Sequence, residues 1–147
     1  MRKKILEIEN NINRKLFILS VLVTIIAMGM MLVEFFTRGA FPATKISTFY
    51  VVVLLIYSLH KEALRWLTEK GVLIKRRGEI FVYTWIIITA ILYLINFLTK
   101  DFFVIDYLGN QLTALSEITI TTLEICAVFI FSRIVKIIFN IFYLRKK

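Results

Sequence analysis

The chain has 147 residues, of which 59% are hydrophobic, and carries a formal net charge of +9. Its mean hydropathy of +0.80 exceeds that of soluble domains, and a soluble fold of this length could not bury so much apolar sequence. The charge does not indicate a nucleic-acid-binding protein, because the basic residues lie in short segments between apolar runs rather than on a water-soluble fold.

The first predicted membrane span covers residues 16–36, which are uncharged until Glu34. Residues 1–15 before it are polar, with apolar residues every three or four positions, which predicts a short amphipathic helix on the membrane surface. Glu34 and Arg38 are four residues apart, so we expect an ion pair between them near the end of the span.

The second predicted span covers residues 42–60, with Pro42 as the residue that opens the helix. Its uncharged part, residues 46–59, has only fourteen residues, so an interfacial or re-entrant segment is the alternative to a full crossing. The helix is predicted to continue out of the membrane into an amphipathic extension, residues 61–79.

The third predicted span, residues 80–99, is the clearest, with twenty consecutive uncharged residues that include no glycine or proline. As a helix it is about 30 Å long, the thickness of the hydrocarbon core of a bilayer. The fourth segment has two possible registers. Residues 112–132 would bury Glu124, whereas residues 125–144 would bury two basic residues. Because a carboxylate can take up a proton and arginine cannot lose one, we predict 112–132, followed by a basic extension at 133–147.

Sixteen of the nineteen Lys and Arg residues fall before the first span, between spans two and three, or after span four. By the positive-inside rule, this distribution predicts that both termini and the central loop are cytoplasmic. The sequence therefore predicts one membrane domain, residues 1–147, an all-α four-helix bundle in the plasma or inner membrane. Helices two and four are expected to extend into the cytoplasm.

Glu124 is the first candidate functional residue, because ionisable side chains inside membranes often mark transport or proton pathways. Glu117 and Thr121 precede it at helical spacing and are predicted to share its face. Burial at mid-depth favours the neutral acid. The structural alternative is a protonated Glu124 that hydrogen-bonds to a Tyr, Thr or Asn of a neighbouring helix.

A second candidate is a basic cluster that could bind a lipid headgroup or a protein partner on the cytoplasmic side. Its members are His60, Lys61, Arg65, Trp66, Lys75, Arg76 and Arg77. The alternative is that these residues only orient the protein. The chain has one histidine and one cysteine and lacks the common catalytic motifs, so we predict no enzyme activity, no metal site and no cofactor.

Residues 60–85 carry a KE-x-x-RW step at the end of one span and a GEIFVY-x-W sequence at the start of the next. In this stretch the chain resembles uncharacterised small bacterial four-span membrane proteins, a resemblance that implies no activity. We predict a non-enzymatic membrane subunit, scaffold or module that binds anionic lipids or a partner. The alternative is a small homo-oligomeric channel, or a proton- or cation-coupled transporter that uses Glu124.

Overall fold

The computed structural model describes residues 2–43, 45–67, 78–105 and 109–144. It contains four long helices: α1 (Arg2–Phe36), α2 (Ile46–Leu67), α3 (Glu79–Leu98) and α4 (Ala114–Leu144). Each includes a stretch long and apolar enough to cross a membrane. The prediction of an all-α four-helix bundle is confirmed, and the chain is a multi-pass membrane protein.

Two helix boundaries differ from the sequence predictions. Residues 2–15 are continuous with the first span and form one helix of 35 residues with it. The prediction of a separate surface helix was therefore wrong. The second helix begins at Ile46 rather than at Pro42, because Lys45 has a φ of +65° and turns the chain. Its apolar stretch then runs from Ile46 to Leu64, about 28 Å and enough for a full crossing.

The helices bury narrow stripes against one another and leave their other faces apolar and exposed, as expected for a bundle surrounded by lipid. Helix α2 packs between α1 and α4, and α4 also packs on α3. In α1 the buried stripe repeats every three or four residues, which is the helical period. It comprises Ser20, Thr24, Ala27, Met31 and Phe35.

A chain of hydrogen bonds joins three helices in the centre of the bundle. Trp85 Nε1 of α3 donates to the hydroxyl of Tyr50 of α2 at 2.9 Å, and Tyr50 Oη lies 3.2 Å from Thr24 Oγ1 of α1. Thr24 also donates to the carbonyl of Ser20 at 2.6 Å. Each hydroxyl has one hydrogen, so a consistent assignment gives the hydrogen of Tyr50 to Thr24. All four side chains are buried.

Two further hydrogen bonds fix how α3 and α4 align. The hydroxyls of Thr89 and Thr122 are 2.7 Å apart, and those of Tyr93 and Thr119 are 2.9 Å apart. Because Thr89 is near the middle of α3, Thr122 is near the middle of the membrane.

The two ends of the bundle differ in chemistry. We call the end where Lys61, Glu79 and Arg133 lie the basic end. At the opposite end, the last turn of α1 packs on the loop after α3, where Phe103 stacks on Phe35 with ring centres 5.1 Å apart. A Cβ atom on Gly39, which has a φ of +77°, would lie 2.5 Å from Leu112 Cδ2.

The ion pair expected between Glu34 and Arg38 is replaced by other contacts at this opposite end. Helix α1 ends at Phe36 and Arg38 has a φ of +52°, so the helical spacing does not extend to it. Glu34 accepts a hydrogen bond from the backbone N–H of Ala43 at 3.0 Å. Arg38 donates to the carbonyl of Ile105 at 2.8 Å.

Candidate functional site

A cleft opens at the basic end between α2, α3 and α4. Its charged and polar lining residues include Lys61, Glu62, Glu79, Ser132, Arg133 and Lys136. Its apolar lining residues include Leu54, Phe81, Val82, Ile125, Val128 and Phe129. The cleft is therefore charged where the helices reach the edge of the membrane and apolar where they continue into it.

The depth of the apolar part of the cleft follows from the number of helical residues that line it. Leu54 precedes Lys61 by seven residues on α2, and Ile125 precedes Arg133 by eight residues on α4. At the helical rise, the apolar part reaches about 10 Å inward from the charged part. The cleft volume is about 70 Å³, compared with the roughly 10–15 Å³ that one water needs. This volume accommodates a small polar group rather than a whole lipid.

Two charged side chains of α2 are buried at this cleft. Lys61 is 8% exposed and Glu62 is 6% exposed. The Lys61 ammonium lies 5.7 Å from the centre of the Tyr57 ring, and Glu62 Oε1 accepts a hydrogen bond from Ser132 of α4 at 3.3 Å. Burial of charged side chains is costly and unusual, so their positions here require favourable interactions in the same place.

An ion pair between Glu79 and Arg133 connects the start of α3 to α4. The Arg133 guanidinium also lies over the Phe129 ring, 5.0 Å from its centre. Lys136, about one turn further along α4, is half-buried beside them. The lining thus contains three basic side chains and two carboxylates, an excess of one positive charge.

The beginning of α3 adds to this positive character. Gly78 is the N-cap residue and has no side chain that could cap the helix. The first backbone N–H groups of α3 carry the positive end of the helix dipole at the cleft. An anion bound there would interact with these N–H groups as well as with the basic side chains.

Of the predicted basic cluster, Lys61 is the described member that lines the cleft. Lys61 lines the cleft, whereas His60 faces α1, with its Nε2 3.6 Å from Glu9 Oε2. Lys75, Arg76 and Arg77 lie outside the described residues, as do the side chains of Arg65 and Trp66, although both residues belong to α2. In the sequence, the triplet 75–77 directly precedes Gly78 of the cleft.

The residues predicted to share one face of α4 differ in their exposure. Thr121 is completely buried and donates to the carbonyl of Glu117 at 2.8 Å. Glu117 is half-buried, and its Oε1 accepts a hydrogen bond from Thr113 at 3.3 Å. Glu124 instead faces outward and is exposed. The three residues keep the helical spacing of one face of α4, but Thr121 is buried in the bundle whereas Glu124 is exposed.

Glu124 lies close to the middle of the membrane, two residues from Thr122. Among the described side chains, none pairs or hydrogen-bonds with its carboxyl group, so the hydrogen bond of the structural alternative is not found in the part of the chain that the structure describes. A charged residue at the centre of a membrane helix costs about 2.5–3.5 kcal/mol on insertion scales. In the isolated bundle, the Glu124 side chain would face lipid.

Sequence reasoning missed four of the residues that line the cleft: Glu79, Ser132, Arg133 and Lys136. Glu79 and Arg133 are 54 residues apart in the chain, and Ser132 is 70 residues from Glu62. One signal was available: Glu79 begins one span and Arg133 follows another, and both are on the side predicted to be cytoplasmic. Charges at the same predicted depth in antiparallel helices can pair.

Within residues 2–43, 45–67, 78–105 and 109–144, no three His, Cys, Asp or Glu side chains are grouped so that they could hold a metal ion. Comparisons with protein-family models, with curated proteins and with solved structures found no match to this chain. The resemblance of residues 60–85 to small four-span proteins therefore stays a prediction, and the function has to be argued from the site itself.

Proposed function

We propose that the chain is a non-enzymatic plasma-membrane protein whose basic end binds the phosphate headgroup of an anionic phospholipid. The observation that carries this proposal is the cleft between α2, α3 and α4, with buried Lys61 at its charged edge and an apolar lining below. A phospholipid has the same order of groups: an anionic phosphate at the membrane surface and apolar chains beneath it.

The side chains at the edge of the cleft suit a phosphate. The ammonium groups of Lys61 and Lys136 and the first N–H groups of α3 supply positive charge and hydrogen-bond donors. Glu79 pairs with Arg133 and so holds that guanidinium in place. Below the phosphate, the apolar lining, about 10 Å deep, would face the apolar part of the lipid, which stays in the surrounding bilayer.

The predicted topology brings this end of the bundle to the leaflet that contains the ligand. By the positive-inside rule, the basic end lies on the cytoplasmic side, where anionic lipids are concentrated in many membranes. Each basic residue near such a surface contributes about 1 kcal/mol of attraction. The basic residues at 75–77 adjoin the cleft in sequence and would add to this attraction.

The test is lipid binding by the purified protein in nanodiscs that contain phosphatidylcholine with increasing phosphatidylglycerol, followed by native mass spectrometry. The wild-type protein should retain phosphatidylglycerol in preference to phosphatidylcholine. Lys61→Gln and Lys136→Gln should each weaken this preference about fivefold, as expected from the loss of about 1 kcal/mol. Lys136 is only half-buried, so the Lys136→Gln protein should fold even if Lys61→Gln does not.

The matched control is Lys100→Gln, which removes an exposed lysine at the opposite end of the bundle. It should leave the lipid preference unchanged. If Lys100→Gln and Lys136→Gln weakened binding equally, the attraction would be a property of net charge and the cleft would have no part in it. Equal retention of the two lipids by the wild-type protein would also contradict the proposal.

A second candidate function is a homo-oligomeric channel, or a transporter coupled to protons or cations, that uses Glu124. The exposed position of Glu124 at mid-depth favours it, because ionisable residues at this depth commonly mark transport pathways. A single bundle could not line a pathway with an outward-facing side chain, so the pathway would run between copies. Proton or cation flux into proteoliposomes that is lost with Glu124→Gln would support this function, and flux equal to that of empty liposomes would contradict it.

A further inference from the structure

The outward-facing carboxyl group of Glu124 lies at the depth where lipid can offer it no hydrogen bond. Thr122, two residues before it, is joined to Thr89 at the middle of α3. The exposed side chains around Glu124 on α4 are apolar and include Ile120, Leu123 and Phe131. A polar group in this position needs a partner from outside the bundle.

We infer that the partner is a second copy of the same chain, and that α4 forms a parallel two-fold interface with Glu124 facing Glu124. A protonated carboxyl group is both a donor and an acceptor, so two of them, or one with a carboxylate, are complementary. Two-fold symmetry places the same residue of both copies at the same depth when both insert in the same orientation.

The composition of the spans favours a second copy over another site on this chain. None of the other three predicted spans has a Lys, Arg or His at mid-depth. They also have no Asp or Glu at mid-depth, so Glu124 is the acidic or basic side chain that a second copy offers at this level. Ala127, one turn away on the same exposed surface, is small enough to let two α4 helices approach closely. This inference does not depend on the proposed lipid site.

Disulfide cross-linking in lipid bilayers tests the interface. The native Cys126 is first replaced with alanine, and single cysteines are then introduced as Leu123→Cys or Ala127→Cys on the proposed face. The control is Ile87→Cys, at an exposed position at a similar depth on α3. Oxidation should give dimers with both α4 variants and leave the α3 control monomeric, even at a high ratio of lipid to protein.

The role of Glu124 itself is tested by measuring the dissociation of fluorescently labelled protein as lipid is added. Glu124→Leu should weaken association roughly three- to thirtyfold, the range expected for a hydrogen bond between membrane helices. Glu124→Gln, which can still donate and accept, should weaken it less. Because Glu124 is exposed, the Glu124→Leu protein should unfold at the same denaturant concentration as wild type, which separates association from folding.

Three results would overturn the inference: equal cross-linking of the α4 and α3 cysteines, no change in association with Glu124→Leu, or a wild-type protein that is monomeric at every lipid dilution. The last result would leave a basic residue of a different membrane protein as the partner of Glu124.

Discussion

Removal of one hydroxyl group, in Tyr50→Phe, should measurably destabilise the bundle. The Tyr50 hydroxyl accepts a hydrogen bond from Trp85 Nε1 at 2.9 Å and lies 3.2 Å from Thr24 Oγ1. It is thus the atom at which α1, α2 and α3 are joined. Phenylalanine has almost the same shape, so the substitution removes the hydrogen bonds and keeps the packing of the ring.

The size of the effect can be estimated from burial. Tyr50 is 0% exposed and Trp85 is 1% exposed, so water cannot replace the lost acceptor. A buried donor without a partner costs about 1–3 kcal/mol in soluble proteins. Hydrogen bonds between membrane helices contribute less, about 0.6 kcal/mol on average and about 1.7 at most. Since the donor of Trp85 is left without its acceptor, we expect a decrease of about 1.5 kcal/mol in the free energy of unfolding.

The measurement is equilibrium unfolding in mixed micelles, with a denaturing detergent as the variable. The control is Tyr83→Phe, the same chemical change at a side chain that is 60% exposed, and it should change the free energy of unfolding by less than about 0.5 kcal/mol. A Tyr50→Phe protein as stable as Tyr83→Phe would refute the reasoning, since the buried hydroxyl would then contribute nothing.

Two more experiments test the two ends of the bundle. Gly39→Ala should lower the free energy of unfolding by about 2 kcal/mol, because the φ of +77° is unfavourable for alanine and the new Cβ meets Leu112. Gly109→Ala has a similar φ of +83° but open space around it, so it should lower the free energy of unfolding by only about 1 kcal/mol. Equal costs would contradict the contact with Leu112. A double-mutant cycle with Glu79→Gln and Arg133→Gln should give a coupling free energy of about 0.5–1 kcal/mol in detergent-induced unfolding, and additive effects would contradict the ion pair.

The fold was predictable because it depends on the length of apolar runs, which is a local property. Residues 80–99 are apolar over the thickness of a bilayer, and the structure has α3 at Glu79–Leu98. The start of α2 was less predictable. Proline can open a helix, but here the backbone conformation of Lys45 delays the start to Ile46.

The candidate site was only partly predictable, because it depends on contacts between residues distant in the chain. The sequence identifies Lys61 as one of several basic residues but does not show that it is buried. Glu79 directly precedes the third predicted span and Arg133 begins the basic extension, and the sequence does not show that each is the partner of the other. The sequence shows that Glu124 is a charged residue within the fourth predicted span, but its exposure depends on how α4 packs on α2 and α3.

The most direct test of the account is the side of the membrane on which the basic end lies, since a phosphate site there requires access to the cytoplasmic leaflet. In a Cys126→Ala background, Gln111→Cys in the loop before α4 and Glu9→Cys in α1 can be labelled with a membrane-impermeant maleimide. We predict that the cysteine at 111 is labelled in intact cells and that the cysteine at 9 is labelled only after permeabilisation. Labelling of the cysteine at 9 from outside intact cells would contradict the predicted orientation and, with it, the proposed lipid site.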